Sequence, residues 1–157
     1  MCARVMRSML VAWLLAASTV VAAPSGPYDE AADARARIRA ALSEASRASV
    51  PVLVVFGANW CADCKVLDAA FTHGASARLI KANFRVVKVN VGRFDRNTDI
   101  AASYGVPLKK GIPAVAVLSP QGMVMYATAG GELADARAMG ENGIFAFFSE
   151  VSGRLPK

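Results

Sequence analysis

The sequence predicts an α/β fold in which a central mixed β-sheet carries helices on both faces. Three observations support this. The run Val52-Leu53-Val54-Val55-Phe56 is continuously apolar, as a strand buried on both faces requires. Segments of helical period alternate with strand-like segments along the chain. The last two strand-like segments are joined by a short turn, so the sheet contains an antiparallel pair. A sheet between helical layers is the packing that satisfies this order.

From Asp29 to about Ser49, Ala31, Ala34, Ile38, Ala41, Leu42 and Ala45 recur at helical spacing, with Asp29, Glu30 and Asp33 near the amino end, where acids favour the helix dipole. Pro51 ends this helix and the apolar strand follows. Gly57-Ala58-Asn59 reads as a loop, and Ala62 to about Thr72 as a second helix with Val66, Leu67, Ala70 and Phe71 on one face. Thr72-His73-Gly74 resembles a helix carboxyl end. Phe84 to Val91 is a valine-rich strand, Gly92 to Thr98 a polar loop, Asp99 to Tyr104 a short helix and Gly105 to Gly111 a loop containing Pro107. Pro113 to Leu118 and Met123 to Thr128 form a hairpin about Pro120-Gln121-Gly122. A final helix spans about Ile144 to Val151, where Ile144, Phe147, Phe148 and Val151 keep one face.

Residues 1–22 have the order of a secretory signal peptide: Arg4 and Arg7, an apolar run from Met9 to Ala22, and small residues at its end. That run is shorter than the roughly 20 residues a membrane-spanning helix needs. Cleavage after Ala22 is favoured, with an uncleaved amino-terminal anchor as the alternative, and either places the remainder in the periplasm or another extracytoplasmic compartment. Residues 23–157 fit a single domain able to bury a core. Loss of Arg4 and Arg7 lowers the net charge from +6 to +4. The remaining cations are scattered, with no basic run or aromatic platform, so nucleic acid is not expected as a partner. Cys2 would leave with the leader, making Cys61 and Cys64 the only thiols of the processed chain.

Cys61 opens a helix that follows a buried strand, where unpaired N–H groups and the positive end of the dipole stabilise a thiolate. Cys64 lies about one turn further on and is expected to be less exposed. Cys61 is therefore the candidate nucleophile and Cys64 the candidate resolving thiol of a redox-active disulfide. A purely structural staple is disfavoured, because a bridge closing four residues is worth only about 2 kcal/mol by the chain-entropy formula. Structural zinc needs four ligands, and two thiols with the single His73 fall short. No metal or other cofactor is expected, although Cu(I), which is content with few thiolates, stays open.

Val52 to Lys65 (VLVVFGANWCADCK) resembles the strand and active-site turn of the thioredoxin family. The resemblance continues through Lys88-Val89-Asn90-Val91, Tyr104-Gly105-Val106, Gly111-Ile112-Pro113 and Gly130-Gly131, covering about residues 50–131 in the family's order. It implies a thioredoxin-like fold. It also implies that Pro113 follows a cis peptide bond and, with Ile112, faces the disulfide, and that Trp60 forms an apolar wall beside the sulfurs. Lys65 and Asp63 are expected to adjust the local field.

The departures are specific. Val55 stands where the family has a buried aspartate that moves the second thiol's proton. Ala62-Asp63 replaces glycine and proline, Ala69 replaces a kinking proline, and about three extra residues lie within Val106 to Gly111. Asp63 beside Cys61 would disfavour its thiolate and make the couple more reducing. The expectation is an exported protein thiol-disulfide oxidoreductase on the reductase or isomerase side, exchanging with protein disulfides and dithiols and re-reduced by a membrane electron donor. A net oxidant, or a non-enzymatic partner- or copper-binding module, are the alternatives.

Overall fold

The computed structural model describes residues 26–156, so the leader, its cleavage point and Cys2 lie outside the described residues. The elements in chain order are α1 (Ala34–Ala48), β1 (Val52–Gly57), α2 (Ala62–Thr72), α3 (Gly74–Asn83), β2 (Arg85–Asn90), α4 (Thr98–Ser103), a single 3-10 turn (Leu108–Lys110), β3 (Ala114–Leu118), β4 (Val124–Ala127) and α5 (Ala136–Arg154). The sheet order is β2-β1-β3-β4. Strand β1 runs parallel to β2 and antiparallel to β3, and β3 and β4 are antiparallel, so the sheet is mixed.

All six residues of β1 are buried, as its central place demands. Alternate positions divide between two apolar layers. Val52, Val54 and Phe56 join Val87, Val89, Ala114 and Ala116 against Ile38, Ala41 and Ala45 of α1 and Ile100 of α4. Leu53 and Val55 join Val115 and Val117 against Leu67 of α2, Ile80 of α3, and Ile144 and Phe148 of α5. Helices thus cover both faces, and each large side chain so buried contributes about 1.5–3 kcal/mol relative to exposure.

Three boundaries differ from the sequence expectation. Helix α1 begins at Ala34 rather than Asp29, because the Asp29 carboxylate closes a turn by accepting the Ala31 N–H and Asp33, in extended geometry, caps the helix through the Ala36 N–H. The stretch after Thr72 is not merely a helix end: His73 closes α2 and Gly74 at once begins α3. The last helix starts eight residues before Ile144 and is interrupted at Gly140, where φ is 61°.

The segment before α1 is anchored by Tyr28, which is 1% exposed and lies against Gly57 at the end of β1. A Cβ on Gly57 would overlap the Tyr28 ring. Gly57→Ala should therefore destabilise the protein by about 1–3 kcal/mol, the usual cost of overpacking, measured as a fall in the urea midpoint at unchanged slope.

Candidate active site

Strand β1 ends at Gly57, the chain turns through Ala58 to Trp60, with the Cys61 N–H returning to the Ala58 carbonyl at 3.1 Å, and α2 begins. Cys61 is the N-cap of that helix. Its backbone is extended (φ −80°, ψ 115°) and its Sγ accepts the Cys64 N–H at 3.1 Å. The sulfur thus occupies the position of a capping oxygen, facing the unpaired N–H groups of the first turn.

Cys61 and Cys64 form a disulfide with Cα atoms 5.2 Å apart. Cys61 is 5% exposed and Cys64 not at all. From the segment just before β3 the Ile112 carbonyl oxygen comes within 3.5 Å of the Cys61 sulfur, and the Ile112–Pro113 bond is cis. Both residues are buried.

Trp60 is not a core residue. It is 49% exposed, donates from Nε1 to the Gly92 carbonyl at 2.8 Å, meets Phe94 edge to face, and carries the Arg93 guanidinium over its ring. Phe94 is also exposed, so an aromatic and cationic patch adjoins the redox turn. Lys65 lies at the surface, as do Lys109 and Lys110, while Val106 and Leu108 tie the extra loop into the core. Asn59 binds the segment before α1, accepting the Tyr28 N–H at 3.0 Å and donating to the Tyr28 carbonyl at 2.7 Å. That bracket was not read from the sequence, where Asn59 looks like an ordinary loop residue.

Asp63 is the main correction to the expected electrostatics. It is not an open charge beside Cys61. It is buried, and its Oδ1 accepts both the backbone N–H of Arg137 at 2.9 Å and the guanidinium Nε–H at 3.1 Å. Burial pushes the Asp63 carboxyl upward, but the two Arg137 hydrogen bonds and the guanidinium charge outweigh it and hold the group below the usual carboxylate range. Asp135 makes no side-chain cap for α5, so Asp63 supplies the acceptor for that helix from a distance of 74 residues.

Val55 is packed in apolar surroundings. Lys88, opposite it on β2, pairs with Asp68 of α2. Burial, with a further contribution from Asp68, raises the Tyr28 hydroxyl well above the ordinary phenol value. His73 sits at the far end of α2, bonded to the Thr72 hydroxyl at 2.8 Å. Among the described residues no group of three or more His, Cys, Asp or Glu side chains is placed to hold a metal ion.

A thioredoxin-like family model matches residues 33–120, which is more than half of the chain. The chain belongs to the thioredoxin-like family. It is 47% identical to a disulphide isomerase of Xylella fastidiosa whose crystal structure superposes with a TM-score of 0.79, covering 83% of this chain and 99% of that one. It is 38% identical to thioredoxin 1 of Chlorobaculum tepidum over 52% of this chain and 71% of the relative. It is also 28% identical to thiol:disulfide interchange protein DsbD 1 of Pseudomonas aeruginosa, over 68% of this chain but only 16% of that protein's length. The carboxyl-terminal domain of DsbD from Neisseria meningitidis shares the fold, with a TM-score of 0.52 at 19% identity. Together with the Cys61–Cys64 disulfide, these findings make the chain a protein-disulfide oxidoreductase.

Because folding lowers the Asp63 pKa, that group adds stability above about pH 4, where an unfolded aspartate is ionised, and the gain is lost as the pH falls through the folded value. Wild type should therefore exceed Asp63→Asn in urea stability at pH 7, and the gap should narrow by pH 3.

Proposed function

We propose that the protein is an exported thiol-disulfide oxidoreductase working on the reductase or isomerase side. The observation that carries this reading is the asymmetry of the pair: Cys61 at a helix N-terminus beside the surface, and Cys64 wholly buried behind it. In the reduced protein the Cys61 thiolate attacks one sulfur of a partner disulfide. The partner's S–S bond breaks, its departing sulfur takes up a proton, and a mixed disulfide forms. Cys64 then loses its proton and attacks the Cys61 sulfur, expelling the second partner thiol. The partner gains two electrons and the enzyme keeps the Cys61–Cys64 bond. If another partner thiol displaces Cys61 first, the partner is isomerised with no net electron transfer.

The isomerase side rests on the likeness to the Xylella fastidiosa protein, since the pairing of Asp63 removes the charge argument for a reducing couple. The backbone beside Pro113 is the pairing edge for an extended substrate segment, and Trp60 with Phe94 forms an apolar wall adjoining the redox turn. Each reductive turnover needs a dithiol donor. No helix among the described residues is long and apolar enough to cross a membrane, and in this reading the donor is a membrane partner. Residues 1–22 act as the export signal, consistent with the extracytoplasmic setting of the reading.

Val55 leaves the strand without an acid, and this reading assigns Asp68, one turn beyond Cys64 on α2 and paired with Lys88, as the acceptor for the resolving thiol's proton. Asp68→Asn should slow release of a trapped partner at least about tenfold in a stopped-flow assay, with attack by Cys61 little changed.

Cys64→Ala should accumulate mixed disulfides on Cys61 with several exported proteins, while Cys61→Ala captures none. Capture of no protein, together with an equilibrium against glutathione far more oxidising than that of an ordinary thioredoxin, would exclude the reductase and isomerase side.

A further inference from the structure

Asp63 lies at the positive ends of two helices. It is in the first turn of α2, and its Oδ1 accepts the N–H of the second residue of α5. A group so placed favours its ionised form twice over. Among the described residues its one side-chain partner is Arg137, whose side chain is 62% exposed against 12% for Asp63. The carboxylate between the two cysteines in sequence is thus set by a residue outside the redox motif.

The segment leading into α5 reaches the other wall of the site as well. A Cβ on Gly111, two residues before Pro113, would stand 2.6 Å from the Ala134 Cβ, and one on Gly131 would stand 2.5 Å from the Lys110 carbonyl. Glu132 stiffens this segment by accepting the Ala129 and Gly130 N–H groups at 3.1 and 3.0 Å. Residues 129–137 therefore touch the cis-proline loop with one end and the cysteine turn with the other.

We propose that Arg137 is a positioning residue of the redox centre, acting through Asp63: its guanidinium fixes the carboxylate at the α5 terminus and offsets a negative charge two residues from Cys61. The proposal rests on the oxidoreductase reading above. Other charges on the elements around Cys61 are Lys65 on α2, Arg93 over Trp60, Lys109 and Lys110 before Pro113, Glu132 and Asp135 ahead of α5, and the Asp68–Lys88 pair. Of these acids Asp63, two residues away, is the closest in the chain to the attacking sulfur, while Glu132 is held by backbone N–H groups and Asp68 by Lys88.

Removing either partner of a charge pair leaves the other uncompensated, so the two single substitutions should move the Cys61 thiolate in opposite directions. The test is a pH titration of thiolate absorbance at 240 nm on the reduced purified protein, for wild type, Arg137→Gln, Asp63→Asn, Arg137→Lys and the double variant. Arg137→Gln should raise the Cys61 midpoint by about half a unit and Asp63→Asn should lower it by about as much, each a roughly threefold change in thiolate population below the midpoint. The double variant should fall between the two singles, and Arg137→Lys, which keeps the charge and the backbone donor, should stay near wild type. Equal losses of melting temperature with unmoved midpoints, or shifts of the same sign in both singles, would reduce the pair to a structural clasp and overturn the proposal. Failure of wild type to exchange with glutathione disulfide would instead refute the oxidoreductase reading, and that result is read separately from the titration.

Discussion

Everything at the redox site depends on a buried strand delivering the chain to a helix N-terminus. Strand β1 has neighbours on both edges and helices on both faces, so its end point is not free to move. The first N–H groups of α2 need acceptors, and the sulfur of Cys61 is one. The register of β1 against β3 then brings in the second half of the site. Phe56 stands opposite Ala114, so the residues just before β3 lie beside the residues just after β1. Ile112 and Pro113 reach the cysteines because the sheet aligns two strand ends, although 51 residues separate Ile112 from Cys61.

None of the four strands carries an acid, and the acids next to the redox motif stand on α2. With Val55 in β1, the layer beneath α2 is apolar at that point, and Lys88 finds its counter-charge on the helix at Asp68. Asp63 is the second acid on the same helix, tied to α5. The two pairs flank Cys64 in sequence, one residue before it and four after it. Helix α2 is therefore clamped toward β2 at one point and toward α5 at another, while its sulfurs face the cis-proline loop.

The parts of the fold legible in the sequence are those decided by local pattern. The continuous apolar run and the cysteine motif located β1 and α2 to within a residue, because neither element needs distant information to be recognised. Helix α3 was missed because its apolar content is little more than Leu79 and Ile80, and because His73-Gly74 closes one helix while opening the next. The start of α5 was missed because its first turn is held by Asp63 rather than by its own cap residue. The same cause hid the true setting of Asp63: a contact across 74 residues leaves no trace in spacing or composition. Trp60, expected as an apolar wall beside the sulfurs, is half exposed because the Gly92 carbonyl and Phe94 hold its ring at the surface.

The pairing of Asp63 with α5 also bears on how far the dipeptide between the cysteines can be treated as a portable cassette. Exchanging Ala62-Asp63 for the pair found in another family member would deprive a helix elsewhere in the molecule of its terminal acceptor. In this scaffold the motif and the last helix are one structural unit, and a transplanted dipeptide would need a new residue ahead of Ala136 to cap the helix it leaves open.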